Sequence, residues 1–152
     1  VMILIPGNQV TYREADKDFN RLNHFKVEEA GEKVAILALG DFYQRGEQLS
    51  AKIKAELGFT PTLINPRFAS GIDKELLESL SERHQMVITM EDGILSGGFG
   101  EKIASFYGSS DMKVKNYGLD KKFYDRYDPN ELLKEVGMTP VQIIADICNQ
   151  IK

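Results

Sequence analysis

The stretch "VITMEDGILSGGFGEKIASFYG", Val87 to Gly108, decides the fold that we predict for this chain. An apolar run ends in Glu91 and Asp92, a glycine-rich loop follows, and a helical pattern comes after the loop. An apolar run bounded by turn signals is typical of a strand that is covered on both faces. The stretch therefore predicts a strand, a loop and a helix, which is the repeating unit of a parallel α/β sheet.

Segments on both sides repeat this unit. His24–Gly31 predicts a short edge strand, with Glu28 and Glu29 on an exposed turn. The alternation of strands and helices predicts a three-layer α/β/α domain with a mostly parallel sheet of about five strands. The other predicted strands are residues 1–5, Lys33–Gly40, Thr60–Pro66, Met86–Met90 and Met112–Gly118.

The predicted helices begin and end at recognisable capping residues. An apolar stripe from Phe42 to Leu57 is followed by Gly58 at the position of a left-handed C-cap. Asp73 is predicted as the N-cap of a second helix, and a third is expected around Ile103–Tyr107. Two helices of the tail each begin with a capping residue and a proline, at Asp128-Pro129 and Thr139-Pro140.

The composition excludes several classes of protein. The chain has 152 residues, 42% of them hydrophobic and 28% charged, which suits one globular domain. A net charge of −4 gives no general affinity for nucleic acid, and no apolar run approaches the ~20 residues of a membrane span. One cysteine and two histidines exclude a disulfide framework and argue against a structural zinc site. We expect a cytoplasmic protein that binds neither nucleic acid nor a membrane.

The glycine loop raises the question of a phosphate site. A P-loop needs Lys and Ser or Thr directly after its last glycine, but Glu101 follows Gly100 here. A dinucleotide fingerprint has another spacing and follows the first strand. A helix start can still bind an anion. We prefer a structural interpretation, in which Gly97, Gly98 and Gly100 allow a tight turn and close contact between helix and sheet.

The charged residues near the strand ends are open to two interpretations. Glu91 and Asp92 could form an acid/base pair, or one could cap the next helix while the other faces solvent or a partner domain, which we prefer. Arg67 could hold an anion, or anchor its loop to Glu91 or Asp92, which we also prefer. His84 is expected at a helix end, where its charge would complement the helix dipole, and Cys148 in the core.

Three blocks of this sequence resemble one known family: "GEKVAILALG", residues 63–103 ("LINPRFAS" through "GFGEKI"), and "NYGLDKKFYDRYDPNELLKEVGMTPVQI". Together they are similar to the carboxyl-terminal domain of 1-deoxy-D-xylulose-5-phosphate synthases, in the transketolase superfamily. The tail is the more specific part, through Gly118-Leu119, Phe123, Glu131-Leu132-Leu133 and Gly137-Met138. The likeness covers about residues 24–152, and residues 1–23 resemble the end of a pyrimidine-binding domain and a linker.

The resemblance implies a parent enzyme that is a homodimer dependent on thiamine diphosphate and Mg²⁺, with both held by the preceding domains. It places no catalytic, cofactor-binding or metal-binding residue on this chain. The candidates that remain are structural or interface residues: Arg67, Glu91, Asp92, Gly97, Gly98 and Gly100. We therefore expect a fragment, inactive alone, that packs against the preceding domains.

One departure leaves the aldehyde acceptor of the parent open. Family members commonly have Tyr-Pro-Arg-Gly near the end of the preceding domain, with an arginine that meets the substrate phosphate. Here Ile5-Pro6-Gly7-Asn8 stands there, and Leu4 replaces a second arginine. Two alternatives also stay open: a stand-alone α/β domain that binds an anion or small molecule, and the corresponding domain of a 2-oxoacid dehydrogenase β subunit.

Overall fold

The computed structural model describes residues 21–151. The predicted strand at residues 1–5 and the linker up to residue 20 lie outside this range. The described residues form a five-stranded sheet whose strands are β1 (Lys26–Glu29), β2 (Lys33–Ala38), β3 (Thr62–Asn65), β4 (His84–Ile94) and β5 (Lys113–Leu119). The order across the sheet is β1-β3-β2-β4-β5. Only β1 runs antiparallel to its neighbour, so the prediction of a mostly parallel sheet is confirmed.

Helices cover both faces of the sheet, which confirms the three-layer prediction. They are α1 (Tyr43–Leu57), α2 (Lys74–Leu80), α3 (Phe99–Tyr107), α4 (Pro129–Glu135) and α5 (Pro140–Gln150). Buried side chains of α1, α4 and α5 share one core with alternate residues of β2 and β4, whereas α2 and α3 contribute to a second core on the opposite face.

The period of two along β4 assigns each residue to a face. Met86, Ile88 and Met90 point into the core of α1, α4 and α5, whereas Val87 points into the core of α2 and α3. All four are at most 1% exposed, which explains why this segment reads as one continuous apolar run.

The predicted caps are present. Gly58 ends α1 in the left-handed conformation with φ 73°. The Asp128 carboxylate accepts from two amides at the start of α4, and Thr139 forms a capping box with Gln142 at the start of α5. Asp73 is the N-cap of α2, since its carboxylate accepts from the Leu76 amide at 3.2 Å.

Three predictions need correction beyond small shifts at the ends of elements. β4 continues through Asp92 to Ile94, because the chain pairs with β5 again at Leu119 after an irregularity in the register. Glu28 and Glu29 lie within β1 and not on a turn. Helix α3 begins at Phe99, one turn before the predicted Ile103, and the buried Phe99 belongs to the same apolar face as Ile103 and Tyr107.

The prediction that Cys148 is a core residue is wrong, because the structure leaves it exposed. The buried face of α5 is formed by Ile143, Ile144 and Ile147. Ile143 shifts the centre of the stripe away from Cys148, which lies at its margin on the helical wheel.

Candidate functional site at the carboxyl edge of the sheet

The candidate residues lie where the parallel strands end, which we call the carboxyl edge. Glu91 and Asp92 lie in the last four residues of β4, and the glycine loop connects β4 to α3. Arg67 follows β3, which is separated from β4 by β2. The fold therefore places all of them at one edge of the sheet but divides them into two separate clusters.

Glu91 occupies the amino end of α3. Its side chain is buried, and its two carboxylate oxygens accept hydrogen bonds from the Phe99 amide at 2.9 Å and the Gly100 amide at 2.8 Å. These are the free N–H groups that could otherwise bind an anion. Because the chain supplies its own carboxylate there, a phosphate would have to displace Glu91.

Glu91 and Asp92 do not form a pair of carboxylates. Consecutive residues of a strand point to opposite faces, and Asp92 is exposed whereas Glu91 is buried. The arrangement offers one carboxylate for capping and one to solvent, and it lacks the facing geometry that a two-carboxylate acid/base site requires.

The three glycines of the loop meet different steric demands. Gly97 has a φ of 77°, a left-handed conformation that side chains resist. A Cβ on Gly98 would stand 2.6 Å from the Ile94 carbonyl oxygen, and one on Gly100 would stand 2.5 Å from the Thr89 hydroxyl. The loop thus turns tightly at Gly97 and lets α3 approach β4 closely at the other two positions.

A second cluster holds the point where the chain enters the sheet. The Arg67 guanidinium donates to the His24 carbonyl oxygen at 3.0 and 2.6 Å, and the Phe25 amide of the same peptide bond donates to the Asp73 carboxylate at 2.9 Å. His24 Nδ1 also lies 2.9 Å from Asp73. We call the side chains of Arg67 and Asp73 the entry clamp, because together they grip both ends of one peptide unit.

This cluster corrects the expected partner of Arg67. Arg67 anchors a loop, but it bonds to His24 and not to Glu91, whose oxygens already hold the start of α3. Asp73 likewise does more than cap α2, since the same carboxylate receives the Phe25 amide and faces His24. Sequence reasoning did not single out His24, because His24 lies 43 positions from Arg67 and no local pattern relates the two residues.

A shallow cavity of about 390 Å³ lies beside the entry clamp. Its lining consists of His24, Phe25, Lys26, Val27, Arg67, Asp73 and Leu76. A histidine beside a carboxylate can activate a nucleophile, but none of these lining residues is Ser, Thr or Cys. Among the described residues, the cavity therefore offers polar contacts without the third member of a nucleophilic triad.

His84 is the first residue of β4, and its buried side chain forms two hydrogen bonds. Its Nδ1 lies 2.9 Å from the Leu80 carbonyl oxygen at the end of α2, and its Nε2 lies 2.8 Å from the Thr62 hydroxyl. The carbonyl can only accept, so Nδ1 carries the proton and Nε2 accepts. Burial lowers the pKa of His84 below its ordinary value. The predicted contact with the helix end exists, but the neutral ring makes it by hydrogen bonding and not by charge.

The described residues contain neither a candidate metal cluster nor a helix that could span a membrane. Within residues 21–151, no group of three or more His, Cys, Asp and Glu side chains stands close enough together to hold a metal ion. Over the same range, every helix is too short or too polar to cross a membrane.

The geometry first defines a class of protein, a three-layer α/β/α domain. At its carboxyl edge, Glu91 occupies the start of α3 and the entry clamp holds the start of β1. Comparison with known proteins then narrows the class. The family described as "Transketolase, C-terminal domain" matches residues 23–143, and the chain belongs to this family.

Two curated relatives share the name 1-deoxy-D-xylulose-5-phosphate synthase. The protein of Shouchella clausii is 32% identical over 155 aligned residues, which cover 99% of this chain and 24% of the relative. The protein of Clostridium perfringens is 38% identical over 115 residues, which cover 74% of this chain and 18% of the relative. The chain thus spans about a quarter or less of the relatives it matches.

Solved structures agree on the fold. A split gene transketolase, described as an inactive beta4 tetramer, superposes with a TM-score of 0.73 at 23% identity, over 84% of this chain and 42% of that one. The 2-oxoglutarate:ferredoxin oxidoreductase of Magnetococcus marinus superposes with a TM-score of 0.54 at 16% identity, over 85% of this chain and 20% of that one.

Proposed function

We propose that this chain is the carboxyl-terminal domain of a 1-deoxy-D-xylulose-5-phosphate synthase. The observation that carries the proposal is a 32% identity along 99% of the chain to a synthase of which it covers only 24%. The parent would condense pyruvate with glyceraldehyde 3-phosphate, release CO₂, and supply isoprenoid, thiamine and pyridoxal synthesis in the cytoplasm. Residues 1–23 would close the preceding domain, and residues 24–152 would form this one.

Among the described residues, the start of α3 does not fit thiamine diphosphate or its Mg²⁺. A diphosphate needs free amides or basic side chains, but the amides at the start of α3 are bonded to Glu91, beside the exposed acids Asp92 and Glu101. We propose, as the family resemblance implies, that the cofactor and the metal are held by the other domains of the parent. No catalytic step is assigned to this chain.

The role proposed for the domain is to pack against the preceding domains and to support a homodimer of the parent. Both clusters at the carboxyl edge suit that role, since they fix loops in place by hydrogen bonds of buried side chains. Arg67, Glu91, Asp92 and the three loop glycines are then structural or interface residues and not catalytic ones.

The test begins with the native polypeptide. An antibody raised against this chain should detect, in extracts of the source cells, a band several times larger than 17.1 kDa. The corresponding purified protein should form 1-deoxyxylulose 5-phosphate from pyruvate and glyceraldehyde 3-phosphate when thiamine diphosphate and Mg²⁺ are added. A band at 17.1 kDa would contradict the proposal and favour the stand-alone domain. A large protein that fails this assay but acts in a 2-oxoacid dehydrogenase would contradict it too.

A further inference from the structure

A buried chain of hydrogen bonds lies where the parallel strands begin, which we call the amino edge. The Thr62 hydroxyl oxygen accepts from the Gly31 amide at 2.9 Å and lies 2.8 Å from His84 Nε2. His84 Nδ1 donates to the Leu80 carbonyl oxygen at 2.9 Å. Since Nε2 is then the unprotonated nitrogen, the Thr62 hydroxyl donates to it. These bonds connect the turn between β1 and β2, the starts of β3 and β4, and the end of α2.

A proton added to His84 disturbs only one half of this chain of bonds. Nδ1 already carries a proton, so its bond to the Leu80 carbonyl oxygen persists in the charged ring. Nε2 changes from an acceptor to a donor, and the Thr62 hydroxyl proton then loses its acceptor. Protonation therefore acts against the contact with Thr62 and Gly31 and leaves the contact with α2 in place.

The surroundings of His84 disfavour a positive charge on the ring. Burial lowers the pKa of His84, and the hydrogen bond to the Leu80 carbonyl opposes this effect. Of the nearby charges, Arg83 lowers the pKa further and Glu32 raises it. Lys33 of β2, which pairs with His84 in the register, is a further cation, whereas β3 carries no ionisable side chain. A protonated ring is therefore stabilised when it reaches water.

The turn between β1 and β2 is the part of this cover that the fold holds least firmly. β1 is a four-residue strand at the edge of the sheet, and its register with β3 contains an irregularity. Two amides anchor the turn, Gly31 on the Thr62 hydroxyl and Glu32 on the Thr60 carbonyl oxygen. Glu29, the last residue of β1, accepts from a side chain of α1 at 3.2 Å. Because edge elements with few bonds open locally, the turn opens before the interior strands do.

We propose that protonation of His84 opens the turn between β1 and β2 while β2, β3, β4 and β5 remain paired, so that the amino edge carries a pH-sensitive switch. The neutral ring keeps the turn closed through Thr62, and the charged ring is hydrated in the open form. The entry clamp, at the other end of β1, stays in place. This inference goes beyond the proposed function and does not depend on it, because it uses only contacts within this domain.

Hydrogen exchange of single amides tests the switch in the 152-residue chain. After correction for the intrinsic effect of pH, the opening constants of the Gly31 and Glu32 amides should rise by up to about ten-fold for each pH unit below about 6.5, because opening takes up one proton. Low concentrations of urea should leave these constants nearly unchanged, since a local opening exposes little surface. The amide of Ile88, a buried residue of β4, should respond to urea in full.

Two variants identify the group that titrates. His84→Gln keeps a polar side chain that does not titrate, so it should abolish the pH dependence at Gly31 and Glu32. His24→Gln is the matched control, because His24 is the other histidine of the chain and lies at the carboxyl edge, and it should leave the dependence intact. Circular dichroism verifies folding. If His84→Gln does not fold, NMR of the unmodified chain replaces it, and the rise at Gly31 should level off at the pH where the His84 ring titrates.

Every other outcome overturns the inference. Opening constants at Gly31 that do not change with pH would exclude the switch. A pH dependence that survives in His84→Gln, or that disappears in His24→Gln, would assign it to another group. A response to urea as strong as that of Ile88 would mean that the turn opens only when the whole domain unfolds. None of these results concerns the size or the activity of the native polypeptide, so the proposed function would stand.

Discussion

The two loops that follow β4 and β5 at the carboxyl edge differ in how their side chains are placed. The glycine loop after β4 turns its polar groups inward, so that Glu91 and the start of α3 satisfy each other. The loop after β5 turns aromatic side chains outward and leaves Phe123 91% exposed. The hydrogen bonds of Glu91 make the first loop part of the fold, whereas the Phe123 ring in the second loop contributes little buried surface. The predictions for Glu91, for the loop glycines and for Phe123 test this contrast, and those for Asp73 and His84 test other contacts of the fold.

The largest effect is expected at Glu91. Glu91→Ala leaves two buried amides of α3 without an acceptor and should lower the free energy of unfolding by about 3 kcal/mol. Asp92→Ala, at the exposed neighbour, should change it by less than about 0.5 kcal/mol. Urea unfolding of both variants measures this. Sulfate should raise the Tm of Glu91→Ala more than that of the unmodified chain, because freed amides bind anions. Equal losses in the two variants would contradict the assigned cap.

The glycines of the same loop should differ in their response. Gly98→Ala forces a Cβ to within 2.6 Å of a backbone oxygen and should cost about 2 to 3 kcal/mol. Gly97→Ala meets nothing within 4 Å but adopts a φ of 77°, so it should cost only about 1 kcal/mol. Thermal unfolding compares the pair. The reverse order would mean that backbone strain, and not close packing, governs this loop.

The entry clamp provides the next effect. As an N-cap alone, Asp73→Ala would cost about 1 kcal/mol. In this structure we expect Asp73→Ala to lower the free energy of unfolding by about 2 kcal/mol, because the buried Phe25 amide also loses its acceptor. Asp73→Asn keeps an acceptor oxygen for one amide and should lose about half as much. Denaturant midpoints of the two variants measure these losses. A loss of only about 1 kcal/mol in the alanine variant would mean that the hydrogen bond from Phe25 to Asp73 does not stabilise the fold.

His84 gives a smaller effect that depends on pH. Burial lowers its pKa in the folded chain relative to the ordinary value of 6.5, so the unfolded chain binds more protons between these two values. The contribution of His84 to stability is therefore complete above about pH 6.5 and decreases as the pH falls through the interval below it. His84→Gln should flatten this part of the profile of unfolding free energy against pH. An unchanged slope would mean that another group titrates there.

The smallest effect on the stability of the 152-residue chain is expected at Phe123, in the loop after β5. Phe123→Ser removes a side chain that is almost fully exposed, so it should change the free energy of unfolding by less than about 0.5 kcal/mol. The Tm of the isolated chain measures this, with Phe99→Ser, a buried residue at the start of α3, as the destabilising reference. A loss of several kcal/mol at Phe123 would show that its ring packs within the domain.

Local sequence patterns predicted most of the fold. The apolar runs found the strands because parallel strands are buried on both faces. Asp73, Asp128 and Thr139 predicted helix starts, because a cap is a contact between residues two or three positions apart. Cys148 was misplaced because a helical stripe has a margin, and small changes in its centre decide which residue at that margin meets the core.

The candidate site was less accessible from the sequence. The motif test argued against a P-loop because Glu101 follows Gly100, but it could not assign acceptors to the amides of α3. Arg67 and His24 lie 43 positions apart along the chain, so no local pattern relates them. A run such as Lys122 to Tyr127, with aromatic residues among charges and no helical or strand period, was the available signal for an exposed loop.

The sequence by itself therefore determined the α/β class, the approximate strands and caps, and the resemblance to the transketolase superfamily. These features depend on burial patterns and on contacts between near neighbours. Only the tertiary structure decided that Glu91 closes the amino end of α3, that Arg67 grips the His24 carbonyl, and that Phe123 stays in solvent. Each of those depends on which strands become neighbours in the sheet, and that is decided when the helices bury both of its faces together.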